Sequence, residues 1–380
     1  MLVTSDLIGF PAAIAERICT RLRKKAGLKR EQILLNSSHT HTGPILNGDT
    51  SDRDSLPPGD AQRTLEYTRQ LEDKVVDIVQ QAVAHLEPAR LAWGTGVCPF
   101  VMNRREFTSY GVILGVNPRG PADRSVPVLR IDTPEGKLRG VLFGAAVHGT
   151  TLTERNYELC GDYAGFAQAY VQEKHRGVQA LFMLGCAGDA NPYPRGTMEL
   201  ARQHGSTLGK EVCRVLDTKL RRVQGPLTVV FDEADLPLQP PPSRAELEKQ
   251  AGKGGVQAWI AKRMLAVLDR GEKLPTHYRC PLAVWQFGGD LTLVGLSEEV
   301  VVDYVGLLEK ALGPTGLWVT AYCNDVSCYL PSARVLQEGG YETRGLYLGG
   351  IGLFDPRAQD VLVAKVRELT KKAGRTLPGE

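Results

Sequence analysis

Three histidines that could bind a metal ion or exchange protons follow apolar, strand-like segments. His39 and His41 lie in the run Ser-His-Thr-His-Thr-Gly-Pro that ends at Pro44, and His148 follows the apolar segment 141–147. Alternate side chains of an extended chain point to the same side, so both imidazoles of the H-x-H pair could face one cavity. Two imidazoles presented in this way are typical of metal sites. Alternatively, His39 and His41 are loop residues held by hydrogen bonds, and His148 is a buried residue of the core or its rim.

Two further polar side chains occupy comparable positions later in the chain. Glu298 follows the apolar strand-like segment 291–296, and Tyr329 lies in a Cys-Tyr-Leu-Pro sequence. The simpler interpretation of Glu298 is an acid in the first turn of a helix, where it stabilises that helix. The simpler interpretation of Tyr329 is a buried core residue. Open α/β sheets, however, bind their ligands at the carboxyl ends of strands. The joint occurrence of these residues therefore predicts one shared site.

Taken in order, these segments resemble the neutral ceramidase family of zinc-dependent N-acylsphingosine amidohydrolases and their bacterial relatives. Ser38–Pro44 resembles the family's T-H-T-H-S-G-P segment, and Gly188–Pro192 resembles its G-D-V-S-P-N box. The resemblance runs from Met1 to about residue 355. The remaining matching positions are Asn103-Arg104 for an Asn-Arg motif, Ala146-Val-His148 for a second histidine segment, Leu296-Ser-Glu298 for a glutamate, and Tyr329 with Tyr341 for paired tyrosines.

The resemblance implies a zinc-dependent hydrolase that cleaves an amide bond with a metal-activated water. Its proposed zinc ligands are His39, His148, Glu298 and Tyr329. The positions that would orient the scissile carbonyl and stabilise its oxyanion are His41, Arg104 and Tyr341. On chemical grounds alone, Asp162 and Asp189 are expected to support the metal-binding imidazoles.

The sequence also departs from the family pattern. Asn191 occupies the position of the family's active-site serine, and an amide cannot act as a nucleophile or proton donor as a hydroxyl does. The chain ends where the family's catalytic domain ends, without its C-terminal β-sandwich domain, and it starts inside what resembles the first core region. A truncated start is therefore expected. Because the zinc ligands are retained and the lipid-specific parts are not, we expect a substrate other than long-chain ceramide.

Strands alternate with helices along the chain, which predicts an α/β fold of mixed β-sheets flanked by helices, like the ceramidase catalytic domain. We expect one domain over residues 1–380, as a single unit or as two lobes at 1–236 and 243–380. The Pro-rich stretch 237–242 would separate the lobes. The main predicted helices are Ala12–Leu28, Leu65–Leu86, Tyr163–Lys174 with Asp162 as N-cap, Met198–Leu220 and Glu298–Leu312.

Composition excludes several classes of partner. Lys and Arg number 46 against 43 Asp and Glu, so the net charge of +3 gives no general field for nucleic acid. No apolar run approaches the roughly 18 residues of a membrane helix. The eight cysteines form no C-x-x-C pair, which favours buried free thiols, a reducing compartment and a cytoplasmic location. The chain shows no signal peptide, and it leaves the oligomeric state open.

Other functions remain compatible with the sequence. The same site could serve a zinc-dependent esterase or lactonase, or a non-catalytic binding protein that metal stabilises. Cys186, at a strand-to-turn junction, could be a nucleophile with His148 as its base. Residues 45–62 form a polar loop after the histidine pair, with Asp49, Asp52, Arg53, Asp54 and Asp60. If this loop covers the site, a small or polar amide or ester is a better substrate than long-chain ceramide.

Overall fold

Apolar side chains alternate along the longest strands, and this alternation produces two β-sheets that pack face to face. A computed structural model describes residues 1–46, 59–343 and 352–379. The strands are β1 (Leu2–Ser5), β2 (Leu34–Ser37), β3 (Arg90–Val97), β4 (Val101–Thr108), β5 (Gly111–Asn117), β6 (Ser125–Asp132), β7 (Leu138–Ala145), β8 (Gln179–Leu184), β9 (Ala190–Pro192), β10 (Arg221–Val223), β11 (Leu227–Pro237), β12 (His277–Phe287), β13 (Leu291–Leu296), β14 (Glu299–Val300), β15 (Leu317–Thr320) and β16 (Tyr329–Leu330).

Some helices of the described chain cover the outer faces of these sheets, and others pack on one another. The helices are α1 (Ala12–Ala26), α2 (Asp60–Ala84), α3 (Asp162–Lys174), α4 (Met198–Leu216), α5 (Arg244–Ala251), α6 (Gly255–Asp269), α7 (Asp303–Leu312), α8 (Ala333–Glu338) and α9 (Ala358–Lys372). Helices α3, α4, α7 and α9 cover the outer faces of the sheets, while α1 packs on α2 and α5 on α6. Within the described ranges, none of these helices is long and apolar enough to cross a lipid bilayer.

One sheet has five strands in the order β10-β3-β6-β7-β8, and the other has four in the order β11-β12-β13-β15. Antiparallel pairs dominate both sheets, but the β7–β8 and β13–β15 pairs are parallel. Leu142 and Met183 of the first sheet pack with Trp285 and Leu293 of the second in one buried cluster. The intervening residues of the same strands face the other way, toward α3 and α4 on one side and α7 and α9 on the other. The result is a four-layer arrangement of helices, sheet, sheet and helices.

Most predicted elements are present with shifted ends. The predicted helix Leu65–Leu86 begins earlier, at Asp60, and the predicted helix Met198–Leu220 ends at Leu216. The β4–β5 hairpin was not predicted. Its strand β5 lies at the edge of a three-stranded sheet and leaves Ile113 and Leu114 exposed, so the alternation that marks a half-buried strand is weak there.

The region after β13 differs most from the prediction. The predicted helix Glu298–Leu312 begins only at Asp303, and its expected first turn is instead the short strand β14. Strand β14 pairs in parallel with β16, with Glu299 beside Tyr329. In this pairing, Glu299 and not Glu298 lies opposite Tyr329.

Candidate metal centre and active site

Four loops meet at one end of the two large sheets. They follow β7, β13 and β15 of these sheets and β2 of a separate two-stranded sheet, β1-β2. An isolated bridge joins Thr40 to Gly149, and the His41 N–H donates to the Gly149 carbonyl at 3.1 Å. These contacts bring the two histidine segments together. Polar residues that directly follow strands are common at the ligand sites of α/β folds.

The backbone at this end of the sheets holds four non-glycine residues in the left-handed region. Their φ angles are 55° for His39, 71° for Glu298, 57° for Tyr322 and 66° for Asn324. Such conformations cost free energy and persist only where surrounding contacts enforce them. The Tyr322 N–H donates to the Glu298 carbonyl at 3.1 Å, and the Asn324 N–H donates to the Leu35 carbonyl at 2.9 Å. Strained residues concentrated in one place are typical of functional sites.

Three side-chain atoms with lone pairs converge at the centre of the site. The Glu299 Oε2 atom lies 2.9 Å from His148 Nε2 and 3.1 Å from His39 Nε2. Both imidazoles are buried. Ligand atoms placed tetrahedrally about 2.0 Å from a zinc ion are separated by about 3.3 Å, so the observed spacing is close to that of a metal shell.

A neutral His39 or His148 has only one N–H group and cannot donate a hydrogen bond from both ring nitrogens. The Nδ1 atoms of His39 and His148 lie 2.5 Å from the Ile8 carbonyl and 2.6 Å from the Ala187 carbonyl. A neutral imidazole has one N–H group, so donation to the carbonyl leaves Nε2 as a bare lone pair. His39 Nε2 has no hydrogen-bond partner among the described residues, although it is buried. A cation at this point would satisfy that orphaned nitrogen.

The electrostatics of the site fit a bound cation. Burial, and then the charge of Arg104, lower the pKa of His148 well below its ordinary value, so its imidazole is neutral. Burial would raise the pKa of Glu299, but the charge of His39 and the hydrogen bond with His148 outweigh this effect and hold that pKa well below its usual range. These contacts need a proton on an imidazole Nε2, and a bound cation would take the place of that proton. A neutral imidazole and an ionised carboxylate are the forms that bind metal ions.

His41 lies beside this centre and is more open to solvent. Its ring centroid is 4.8 Å from that of His39 and 5.8 Å from that of His148. The potential ligand atoms of the three imidazoles lie within 4.8 Å of one another, so the three could hold a metal ion. No contact between His41 and Glu299 within ion-pair distance is present. His41 is therefore at the rim of the centre, where a substrate could reach it.

The structure does not bring the predicted ligand Glu298 to the histidines. Its buried carboxylate accepts hydrogen bonds from the Tyr278 hydroxyl and from the backbone N–H groups of Ser327, at 2.7 Å, and Cys328, at 2.8 Å. The left-handed backbone at Glu298 and the strand pairing of Glu299 direct the two carboxylates to different places. Glu299, and not the predicted Glu298, is therefore the carboxylate that faces His39 and His148.

Tyr329 and Arg104 lie together next to the centre. The Tyr329 ring stacks 6.4 Å from the His148 ring, and its hydroxyl accepts a hydrogen bond from Arg104 Nη2 at 3.1 Å. Burial raises the pKa of Tyr329 well above its ordinary value. The ring of Tyr341 packs 5.4 Å from that of Tyr329, with the Arg104 guanidinium 5.7 Å from the Tyr341 centroid. The structure thus brings together the predicted residues Arg104, Tyr329 and Tyr341.

A buried carboxylate that the sequence analysis missed holds Arg104 in place. Glu342 accepts from Arg104 Nε at 3.0 Å and from Arg105 Nη1 at 2.6 Å. Burial alone would lower the pKa of Arg104, but Tyr329 and Glu342 reverse this effect, so the guanidinium stays charged. No local pattern marks Glu342, because it contacts Arg104 from a short 3-10 turn 238 residues away.

Asn191 lies in the wall of a pocket of about 480 Å³ at this site. Its amide oxygen accepts from Arg104 Nη1 at 3.3 Å and from Thr150 Oγ1 at 3.1 Å. These two donors fix the orientation of the amide and direct its N–H₂ group away from them. Asn191 can therefore donate a hydrogen bond to a molecule in the pocket. The pocket is also lined by His41, Arg104, Tyr329 and Tyr341.

The two aspartates expected to support the imidazoles have other partners. The Asp162 carboxylate accepts from the N–H groups of Leu152, at 2.9 Å, and Tyr163, at 2.6 Å, and Asp162 is the first residue of α3 and not its N-cap. Asp189 accepts from the Val302 N–H at 2.8 Å and from Asn103 Nδ2 at 3.1 Å. The imidazoles instead donate to backbone carbonyls, which perform the same orienting role.

Cys186 is not arranged as a nucleophile. The residue is fully buried, and burial raises the pKa of its thiol well above the ordinary value. A thiol in this state carries almost no thiolate, which is the reactive form. The proposed base His148 contacts Glu299 and the Ala187 carbonyl through its two nitrogens. The structure therefore disfavours the cysteine-based alternative.

Comparisons with known proteins agree with this arrangement of segments. No protein-family model matches the chain. A neutral ceramidase from Pseudomonas aeruginosa is 25% identical over 202 residues, which are 50% of this chain and only 29% of that protein. The crystal structure of neutral ceramidase from Pseudomonas aeruginosa superposes with a TM-score of 0.71 at 22% identity, over 100% of this chain and 67% of that chain. A ceramidase structure described as complexed with C2 gives a TM-score of 0.69 at 19% identity, over 100% and 68% of the respective chains.

These similarities test two predictions, the α/β fold and the resemblance to neutral ceramidases. The mixed α/β architecture is confirmed, since the whole described fold matches the ceramidase structure. The sequence similarity to a ceramidase is confirmed over half of the chain. The chain thus resembles neutral ceramidases in sequence over half of its length, and it has their fold.

Proposed function

We propose that this protein is a zinc-dependent hydrolase that cleaves an amide bond of an N-acyl compound. The proposal rests on one observation. Glu299 Oε2 lies 3.1 Å from His39 Nε2 and 2.9 Å from His148 Nε2. A cation would satisfy this buried group of lone pairs, and nitrogen and carboxylate oxygen ligands suit zinc. Sequence similarity to a neutral ceramidase supports the choice of amide hydrolysis.

Zinc would be held by His39, His148 and Glu299, with Tyr329 as a fourth candidate from the adjacent strand. When bound, zinc supplies Lewis-acid activation of a water and of the scissile carbonyl. The carbonyls of Ile8 and Ala187 fix the imidazole orientations by accepting from Nδ1. If the Tyr329 hydroxyl stays bound to Arg104, the three other ligands would leave a fourth, exchangeable position, as is typical of catalytic zinc sites.

The pocket residues would bind and polarise the substrate. Arg104 is fixed by Glu342 and stays charged, so it can stabilise negative charge that develops on the carbonyl oxygen. The Asn191 amide N–H₂ group and the His41 ring also line the pocket. A preorganised donor of this kind contributes about 3–4 kcal/mol to transition-state stabilisation. Asn191 would act as a donor and not as a substitute for a serine nucleophile.

We further propose that long-chain ceramide is a poor substrate. The expectation came from the polar loop predicted over residues 45–62. Residues 47–58 of it lie outside the described residues, and α2 begins at Asp60. The pocket itself is of a size usual for small-molecule sites, and His41, Arg104 and Asn191 give it several polar groups. An ester or lactone could use the same carbonyl-polarising groups, so esterase activity is the second candidate.

Hydrolysis by metal-loaded protein tests the proposal. Purified protein is stripped with a chelator, reloaded with zinc, and assayed with N-acyl amides, matched esters and detergent-solubilised ceramide. We expect turnover that depends on zinc and is greater for the amides than for ceramide. Zinc binding without turnover of any substrate would support a non-catalytic, metal-stabilised protein. Turnover that survives complete zinc removal would contradict the proposed mechanism.

A further inference from the structure

The pocket beside the metal centre contains a second arginine for which the proposed reaction has no role. Arg195 lines the same pocket as His41, Arg104 and Asn191. It lies three residues after β9, the strand that carries Asn191. Arg195 is therefore close enough to the reacting centre to influence a bound substrate.

Arg195 has no anionic partner within the described parts of the chain. No carboxylate among them lies within 4.0 Å of its guanidinium, and no Asp or Glu is among the residues that line the pocket. Glu154 and Asp162 act on it only at longer range, and the Asp162 carboxylate already accepts two backbone N–H groups. Arg104, in contrast, forms an ion pair with Glu342. Among the described residues, the pocket therefore contains one arginine, Arg195, without a carboxylate partner.

The backbone around Arg195 is fixed on both sides. The Tyr193 N–H donates to the Phe100 carbonyl at 2.9 Å, and the Gly196 N–H donates to the Thr151 carbonyl at 2.7 Å. The Pro194 carbonyl lies 2.7 Å from His204 Nε2, which is placed to donate to it. Contacts at Tyr193, Pro194 and Gly196 fix the backbone on both sides of Arg195, which lowers the entropy cost of ordering this segment around a ligand.

One wall of the pocket is apolar. Leu114 and Val116 of the edge strand β5 line it together with Met102. Beyond the pocket, the same hairpin exposes Phe107 and Ile113 with 59% and 48% of their surface accessible. An acyl chain could lie along this wall, and the amine side of the same molecule would then extend toward Arg195.

From this arrangement we infer that the substrate is an N-acyl compound with an anionic group, a carboxylate or a phosphate, on its amine side. The inference rests on the proposed function, because it places the scissile amide between the metal centre and Arg195. A guanidinium forms paired hydrogen bonds with either kind of anion. Arg195 would act as a specificity-determining residue that selects the anionic head group, while the apolar wall accepts the acyl group.

Binding measurements test this inference separately from catalysis. The full chain is titrated calorimetrically, with and without zinc, with N-lauroylglycine, its neutral amide N-lauroylglycinamide, and N-lauroyl-aminomethylphosphonate. We expect at least one anionic ligand to bind about 10- to 100-fold more tightly than the neutral amide, as is usual for a charge-assisted hydrogen bond. Comparing the carboxylate with the phosphonate identifies which anion fits.

Arg195→Gln should remove this preference while changing the affinity for N-lauroylglycinamide less than about twofold, and Arg195→Lys should retain part of it, because lysine keeps the charge without the planar fork. Arg23→Gln is the matched control, since Arg23 is an exposed residue of α1 with the same charge. It should leave all three affinities unchanged. Equal or tighter binding of the neutral amide by the wild-type protein would overturn the inference, as would an anion preference that survives Arg195→Gln.

Failure of this inference can be distinguished from failure of the proposed function. Selective binding of an anionic ligand without any zinc-dependent hydrolysis would support the ligand class and contradict the hydrolase. Hydrolysis of the neutral amide at the same rate as the anionic ligands, with equal affinities, would support the hydrolase and overturn the role of Arg195.

Discussion

Replacing Glu299 by Gln is expected to weaken zinc binding without weakening the metal-free fold. The Glu299 carboxylate contacts two Nε2 atoms, and His39 Nε2 has no hydrogen-bond partner among the described residues. In the metal-free protein, the amide N–H₂ group of Gln can donate to such a lone pair, so the contact becomes favourable. In the zinc-loaded protein, a neutral amide oxygen replaces an anionic ligand. The two states should therefore respond differently to the same substitution.

The expected size of the effect follows from binding linkage. Groups that only support a metal ligand change affinity by 10- to 100-fold when removed, and we take about 100-fold for the ligand itself. A zinc concentration about 1,000 times the wild-type Kd is then about 10 times the Kd of the variant. Zinc should stabilise the wild-type protein by about 4.1 kcal/mol and the variant by about 1.4 kcal/mol, a difference of about 2.7 kcal/mol.

Denaturant unfolding with and without zinc, combined with elemental analysis of bound zinc, measures this difference. Glu298→Gln is the matched comparison, one residue away. Its carboxylate accepts from Tyr278, Ser327 and Cys328, so the amide should lower stability equally with and without zinc. If Glu299→Gln keeps the full zinc-dependent stabilisation and Glu298→Gln loses it, the ligand is Glu298 and the reasoning from the β14–β16 pairing is refuted.

Three other outcomes follow from the site. His39→Ala should lose both zinc and activity, whereas His41→Ala should retain zinc and lose about 10²–10⁴-fold in rate; zinc analysis beside the rate would show a reversed pattern if the two roles are exchanged. Iodoacetamide should leave activity unchanged because burial raises the pKa of the Cys186 thiol, and rapid inactivation with alkylation of Cys186 would contradict this. Glu342→Gln should destabilise the fold by about 3–5 kcal/mol, since it leaves the buried Arg104 guanidinium poorly compensated; an unchanged thermal midpoint would show that this ion pair is not needed.

The sequence by itself determined the fold class and most of the residues around the site. The apolar segments before His39 and His148 are strands, and the polar residues after them lie at one end of the large sheets, as the pattern predicted. The structure also groups Arg104, Tyr329 and Tyr341 next to these histidines. Such features are local, because a strand and the residue that follows it are encoded within about ten positions. Their roles in binding metal and substrate remain predictions.

Only the tertiary structure decided which glutamate faces the histidines and what holds Arg104. Both Glu298 and Glu299 follow the same strand, and a shift of one residue reverses the side to which a side chain points. Glu299 faces the histidines because Glu298 has a left-handed φ of 71° and because Glu299 pairs with Tyr329, thirty residues later. Glu342 reaches Arg104 across 238 positions of sequence. No local pattern encodes these contacts, because they depend on the free energy of packing distant segments together.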